Sequence, residues 1–102
     1  MELDLKVKYG ELLDLYANLL TDKQVKQMEE YMLYDLSLTE IAQNNNSSRQ
    51  AVYDAIQKTM QSLDDFEKKL HLLEKKNKLI SLISSLQVDI DKKRQLLDIL
   101  NN

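Results

Sequence analysis

Leu38-Thr-Glu-Ile-Ala-Gln-Asn-Asn-Asn-Ser-Ser-Arg-Gln-Ala-Val-Tyr-Asp-Ala-Ile-Gln57 decides the fold: a short helix, a tight turn and the start of a longer helix. Leu38, Ile41 and Ala42 share one face of the first helix, and Val52 and Ile56 share one face of the second. These five side chains can close into one apolar knot, and the small Ala42 lets the two helices cross closely. Between them, Asn44-Asn-Asn-Ser-Ser48 combines asparagine, which tolerates left-handed backbone angles, with serine, which caps helices. The pattern predicts a helix-turn-helix over residues 38–62 rather than a plain polar loop.

Working upstream, Ser37-Leu-Thr-Glu40 has the spacing of a capping box, and Thr21-Asp-Lys-Gln24 repeats it. Behind the second, Val25, Met28, Met32 and Leu33 supply the inward face of a helix ending near Tyr34. A first helix is expected from about Leu3 to Ala17, since Leu5, Tyr9, Leu12, Tyr16 and Leu19 recur at helical steps. Gly10 lies inside it at a cost of roughly 1 kcal/mol relative to alanine.

Downstream, Val52, Ile56, Met60, Leu63, Phe66, Leu70 and Leu73 continue one stripe, so the helix from Ser48 is expected to run to about Leu73. The stripe changes phase across Glu74-Lys-Lys-Asn-Lys78, which predicts a bend or tight connection there. It resumes as Leu79, Ile83, Leu86, Ile90, Leu97 and Leu100 at heptad steps, with Lys93 filling the skipped seam position. The expected architecture is all-α. Residues 1–73 form a helical domain containing the motif, and residues 74–102 form one long C-terminal helix of the same domain. That helix carries more apolar surface than a narrow seam needs, so it either folds back on its own chain or pairs with a second copy. The expectation is a homodimer held through those six seam residues.

Composition narrows the chemistry. The 102 residues contain no proline, no cysteine, no tryptophan, one glycine and one histidine. A sheet protein needs turn residues that this chain lacks. Cysteine nucleophiles, disulfides and thiolate or multi-histidine metal sites are excluded. Asp64 and Asp65 are adjacent, so they point apart on a helix and make a poor acid/base pair. His71, between Leu70 and Leu72, has no cluster of potential ligands near it in sequence. There is no glycine-rich phosphate loop. The expectation is a protein that is not an enzyme and binds no cofactor and no metal. A charged N-terminus without an apolar core, and no run long enough to span a bilayer, predict a cytoplasmic location. The net charge is −3, with local balances of −2 over residues 1–20, −2 over 21–62 and +1 over 63–102. No segment is the basic stripe of a sequence-independent nucleic-acid binder. The runs Lys75-Lys-Asn-Lys78 and Lys92-Lys-Arg94 are interleaved with acids and read as solvated faces.

The helix from Ser48 presents a polar N-terminal face of Arg49, Gln50, Tyr53, Asp54 and Gln57. In a major groove, Arg49 suits guanine or phosphate, and Gln50 and Gln57 suit adenine edges. Tyr53 can donate to a phosphate, and the helix start at Ser48 offers backbone N–H groups to another. Lys58, with Lys23 and Lys26, adds phosphate contacts. The candidate DNA-binding set is therefore Ser48, Arg49, Gln50, Tyr53, Gln57 and Lys58. Asp54 is discordant, because it repels phosphate. The same face could equally be an ordinary solvated one.

Leu20-Thr-Asp-Lys-Gln24, Asp35-Leu-Ser-Leu-Thr-Glu-Ile-Ala42 and Ser48-Arg-Gln-Ala-Val-Tyr-Asp54 together resemble the YlxM-like helix-turn-helix proteins of Gram-positive bacteria, over roughly residues 5–75. That family is similar in turn to the promoter-reading fourth region of bacterial sigma factors. The resemblance implies an all-helical fold with the recognition helix starting at Ser48. It also implies a link to protein export, since such genes neighbour that of the signal-recognition-particle GTPase. The chain departs from the pattern at Asn46, where glycine is usual, and at Ser47, where an aliphatic residue is usual. The implied function is a sequence-specific DNA-binding regulator linked to export genes. The competing function is an adaptor that contacts signal-recognition-particle protein or RNA without reading DNA.

Overall fold

A computed structural model describes residues 2–101. Its helices are α1 (Leu3–Tyr16), α2 (Asp22–Met32), α3 (Leu38–Asn44), α4 (Arg49–Leu70), α5 (Leu72–Ser85) and α6 (Ile90–Asn101), with a 3-10 turn at Ala17–Leu19 after α1. No strand occurs among the described residues. The chain divides into two compact units, Met1–Leu70 and His71–Asn102.

Both capping boxes form as the spacing predicts. The Thr21 hydroxyl accepts from the Gln24 N–H (3.1 Å), and the Gln24 side chain accepts from the Thr21 N–H (2.9 Å). Ser37 and Glu40 exchange the same pair of bonds, both at 3.1 Å. Each box satisfies donors that a helix start otherwise leaves open. α2 ends two residues before the expected Tyr34. Asp35 takes a left-handed φ of 55°, and the Leu36 N–H turns back to donate to the Glu30 carbonyl (3.0 Å). α3 also closes with a left-handed residue but one residue tighter: Asn46 takes φ 51° and the Ser47 N–H donates to the Ala42 carbonyl at 3.0 Å. This is the Schellman pattern, in which a left-handed residue just past the helix satisfies its last carbonyls.

In the first unit α4 is the central element, and α1, α2 and α3 all pack on it. Leu12, Tyr16, Met28, Ile41, Val52, Ile56 and Leu63 form the fully buried core, with Ala42 and Leu13 beside them. The apolar knot of the motif therefore closes as expected, with Leu38 half-buried at its edge. Several stripe positions lie elsewhere. Leu5, Leu19, Leu33 and Leu70 are exposed, and buried Thr59 takes the place given to Met60. Thr59 meets its polar requirement locally, its hydroxyl donating to the Ala55 carbonyl at 3.0 Å.

α1 is tied to α4 by two phenol–carboxylate bonds, from Tyr9 to Asp64 (2.8 Å) and from Tyr16 to Glu67 (2.7 Å). Burial raises the Tyr9 pKa above its ordinary value, and the hydrogen bond to Asp64 and that residue's charge raise it further. The folded state thus favours the neutral phenol. Its contribution to stability is complete below pH about 10 and disappears as pH rises through the raised value. Thermal melts of the wild type and Tyr9→Phe should accordingly differ most at pH 8, where the variant is less stable. The gap should close or reverse at pH 11. A gap that widens at pH 11 would contradict this account.

The second unit is a hairpin of α5 and α6. The connection expected at 74–78 is helical instead, and an i,i+4 ion pair from Lys78 to Glu74 (3.0 Å) supports it. The break lies at His71, whose φ of 57° ends α4. Leu70 and Leu72 cannot share a helix face, and histidine is among the residues that tolerate this backbone region. The single long C-terminal helix is also divided, because residues 86–89 are not helical. Asp89 caps α6, its carboxylate accepting from the Asp91 N–H at 2.8 Å. The Ser85 hydroxyl meanwhile bonds back to the Leu82 carbonyl at 2.7 Å. Serine and aspartate compete with helix continuation in this way. The heptad seam is therefore split between two helices. Lys93, expected in that seam, instead donates to the Ser84 carbonyl at the end of α5 (3.2 Å). Of the seam residues, Ile83 is buried, Leu97 and Leu100 are half-buried, and Leu79, Leu86 and Ile90 are exposed.

Candidate nucleic-acid interface

α3, the turn at residues 45–48 and the first turns of α4 form the motif, with α2 packed against both helices. Val52 and Ile56 point inward and anchor α4. Arg49, Gln50, Tyr53, Gln57 and Lys58 of α4 are all exposed, Tyr53 to 45%. Helical spacing puts Gln50, Tyr53 and Gln57 on one face of α4, with Arg49 at its edge and Lys58 on the side of the helix away from Arg49.

Ser48 has a different task from the others. Its hydroxyl accepts from the Ala51 N–H (3.0 Å) and its carbonyl from the Val52 N–H (3.1 Å), so the side chain is occupied as the helix cap. The N–H groups of Arg49 and Gln50 have no partner among the described residues. They are first-turn donors, and the positive end of the helix dipole adds to their preference for an anion.

Asp54 is not idle on this face. It accepts from the Gln50 side-chain amide at 2.9 Å, one turn apart on the helix. That bond uses one of the two amide hydrogens and orients Gln50. Cations are distributed unevenly over the first unit. On α1, Lys6 and Lys8 are matched with Asp35 and Asp64. Among the described residues no ion pair involves Lys23, Lys26, Arg49 or Lys58.

One positioning residue was not visible in the sequence. Glu30 of α2 is only 6% exposed, and its two carboxylate oxygens accept from Asn44 (3.3 Å) and Asn45 (3.5 Å). Asn45 also donates to the Ile41 carbonyl at 2.6 Å. The carboxylate therefore pins the end of α3 and the start of the turn to α2, which sets where α4 begins. The available signal was the asparagine triplet: one residue meets the left-handed angle, and the other two amides need acceptors.

A short capped helix, a turn closed by a left-handed residue and a longer helix with a polar exposed N-terminal face define a helix-turn-helix protein. The comparisons with known proteins agree. The chain belongs to the family described as "Putative helix-turn-helix protein, YlxM / p13 like", matched over residues 3–102. The match therefore extends through the C-terminal unit, beyond the segment that carried the resemblance. A UPF0122 protein of Mycoplasma capricolum subsp. capricolum is 47% identical over 93 residues, covering 90% of this chain and 82% of the relative. A UPF0122 protein of Halalkalibacterium halodurans is 44% identical over 90 residues, 88% of this chain and 83% of the relative. One of Fusobacterium nucleatum subsp. nucleatum is 41% identical over 92 residues, 90% and 89% respectively. Among the described residues no helix is long and apolar enough to cross a membrane.

Proposed function

We propose that this protein is a sequence-specific DNA-binding regulator that works in the cytoplasm as a homodimer joined through its C-terminal unit. Its expected targets, by family resemblance, are signal-recognition-particle and protein-export genes. The observation that carries the reading is the exposed polar face of α4, which stands on a turn held by Asn46 and Glu30. In this mechanism the first two turns of α4 enter the major groove. Arg49, Gln50, Tyr53 and Gln57 meet base edges and backbone, while the open N–H groups after Ser48 and the Lys58 ammonium hold phosphates. Two such faces in a dimer read half-sites about one helical turn apart.

A second reading, an adaptor that binds signal-recognition-particle protein or RNA, is favoured by the acidic first unit. That unit carries eight basic and thirteen acidic residues. Salt dependence separates DNA reading from a protein contact. Each phosphate contact contributes a slope of roughly −0.9 in log affinity against log salt, so Lys23, Lys26 and Lys58 together predict about −3 per protomer. A titration of duplex binding from low to physiological salt measures it. A flat response would remove the groove mechanism and favour a protein contact.

A further inference from the structure

Two surfaces of this chain are built to be covered. The first is a groove of about 370 Å³ between α1 and the end of α2, lined by Leu3, Val7, Gly10, Leu13, Met32 and Leu33. Leu3 is 75% exposed and Leu33 65%, so the apolar lining faces water. Glu11 and Asp14 stand along it, and the lining cation Lys6 is already paired with Asp35. Gly10 is the informative member. It has no positive φ, and a Cβ placed on it would meet nothing within 4 Å. Neither backbone conformation nor packing within the chain calls for glycine here, although glycine costs a helix interior about 1 kcal/mol relative to alanine. A missing side chain at Gly10 keeps the floor of the groove open for close approach.

The second surface is α6. The unit His71–Asn102 buries a single apolar side chain, Ile83, among its described residues. A two-helix hairpin with so small a core does not hold itself together. Leu96 and Ile99 lie one turn apart on α6, both exposed, Ile99 to 73%, and Lys92 precedes them on the same row.

The two surfaces fit one another in length, polarity and charge. α6 has 12 residues, and so does the α1 stretch from Leu3 to Asp14, which gives each about 18 Å. The first unit has a balance of −5 and the second of +2. We propose that α6 of one copy docks in the α1–α2 groove of a second copy. Leu96 and Ile99 enter the groove, and Lys92 lies against Glu11 and Asp14. The exchange is reciprocal, which closes a two-fold dimer and leaves no open end for further growth. This deepens the dimer reading above by naming the two surfaces that meet.

The chain has no cysteine, so engineered pairs report cleanly. Val7→Cys and Ile99→Cys proteins are purified separately and mixed under mild oxidation, and the wild-type mass is measured by sedimentation. The expected results are a mass twice the 12.0 kDa of the chain and a disulfide between the two variants that exceeds either self-pairing. Gly10→Leu, which fills the groove floor while favouring helix, should weaken the dimer at least about tenfold with helicity kept. A dimer that cross-links Ile99→Cys to itself and ignores Gly10→Leu would overturn the docking and leave a dimer. An intrachain disulfide in monomeric Val7→Cys/Ile99→Cys protein would overturn it as well. A wild-type mass of 12.0 kDa would overturn both dimer and docking, whereas DNA reading is scored separately by duplex binding.

Discussion

Arg49→Ala combined with Gln50→Ala is expected to abolish discrimination between a cognate site and random duplex, with helix content unchanged. Both side chains are exposed, and neither supplies the cap of α4, which is the Ser48 hydroxyl. The core beneath, Val52 and Ile56, is untouched. The fold loses only the bond from Gln50 to Asp54, a one-turn surface pair worth a few tenths of a kcal/mol. Binding loses far more. A bidentate contact to a base edge is worth about 1–3 kcal/mol of discrimination, so two cost roughly 2 kcal/mol or more, at least about 30-fold. In a dimer each half-site carries the loss. Fluorescence anisotropy on a cognate duplex, with circular dichroism on the same samples, measures both quantities. Unchanged affinity in a folded variant would remove α4 as the reading element.

The second large effect is at Asn46. Its φ of 51° lies where side chains are disfavoured, and branching at Cβ worsens the clash. Asn46→Val should cost about 1–2 kcal/mol, which in a domain of this size lowers Tm by roughly 4–16 °C. Asn46→Gly removes the strain but adds freedom to the unfolded chain, so its effect should fall between no change and about 1 kcal/mol of gain. Thermal melts of the two variants form an internal control, because both delete the asparagine side chain. Equal destabilisation by both would mean that the amide, not the backbone angle, is what the turn requires. The geometry assigns the other two asparagines the amide role, through Glu30.

Features governed by neighbours in sequence were legible before the structure. The two capping boxes and the inward faces of α3 and α4, Ile41 beside Ala42 and Val52 one turn before Ile56, depend on spacing of four residues or fewer. Spacing of that kind is what periodicity and cap rules report. Features that depend on partners distant in the chain were not. Glu30 looks like any acid on an amphipathic helix until α2 lies against the Asn44–Asn45 amides. Asp64 and Glu67 look like surface acids until α1 brings Tyr9 and Tyr16 to them. The breaks at His71 and at residues 86–89 have a different cause. Neither carries glycine or proline, so both rest on marginal preferences. The signals are a histidine that accepts a left-handed angle and an aspartate that caps a new helix rather than extending the old one. Leu33 and Leu5, which fit a buried stripe by periodicity, are exposed, and Leu33 lines the α1–α2 groove. The exposure of Arg49, Gln50, Tyr53, Gln57 and Lys58 was legible from the spacing of Val52 and Ile56 on the same helix. The division of labour within the candidate site, with Ser48 as cap and Asp54 as the group that orients Gln50, was not.

Selection from a pool of random duplexes, with wild-type protein and Arg49→Ala/Gln50→Ala protein in parallel, tests the central claim most directly. The account predicts an enriched motif for the wild type, with two half-sites about one helical turn apart. It predicts no enrichment for the variant. A wild-type pool indistinguishable from its input would contradict DNA reading by α4, and so would one motif recovered equally by both proteins.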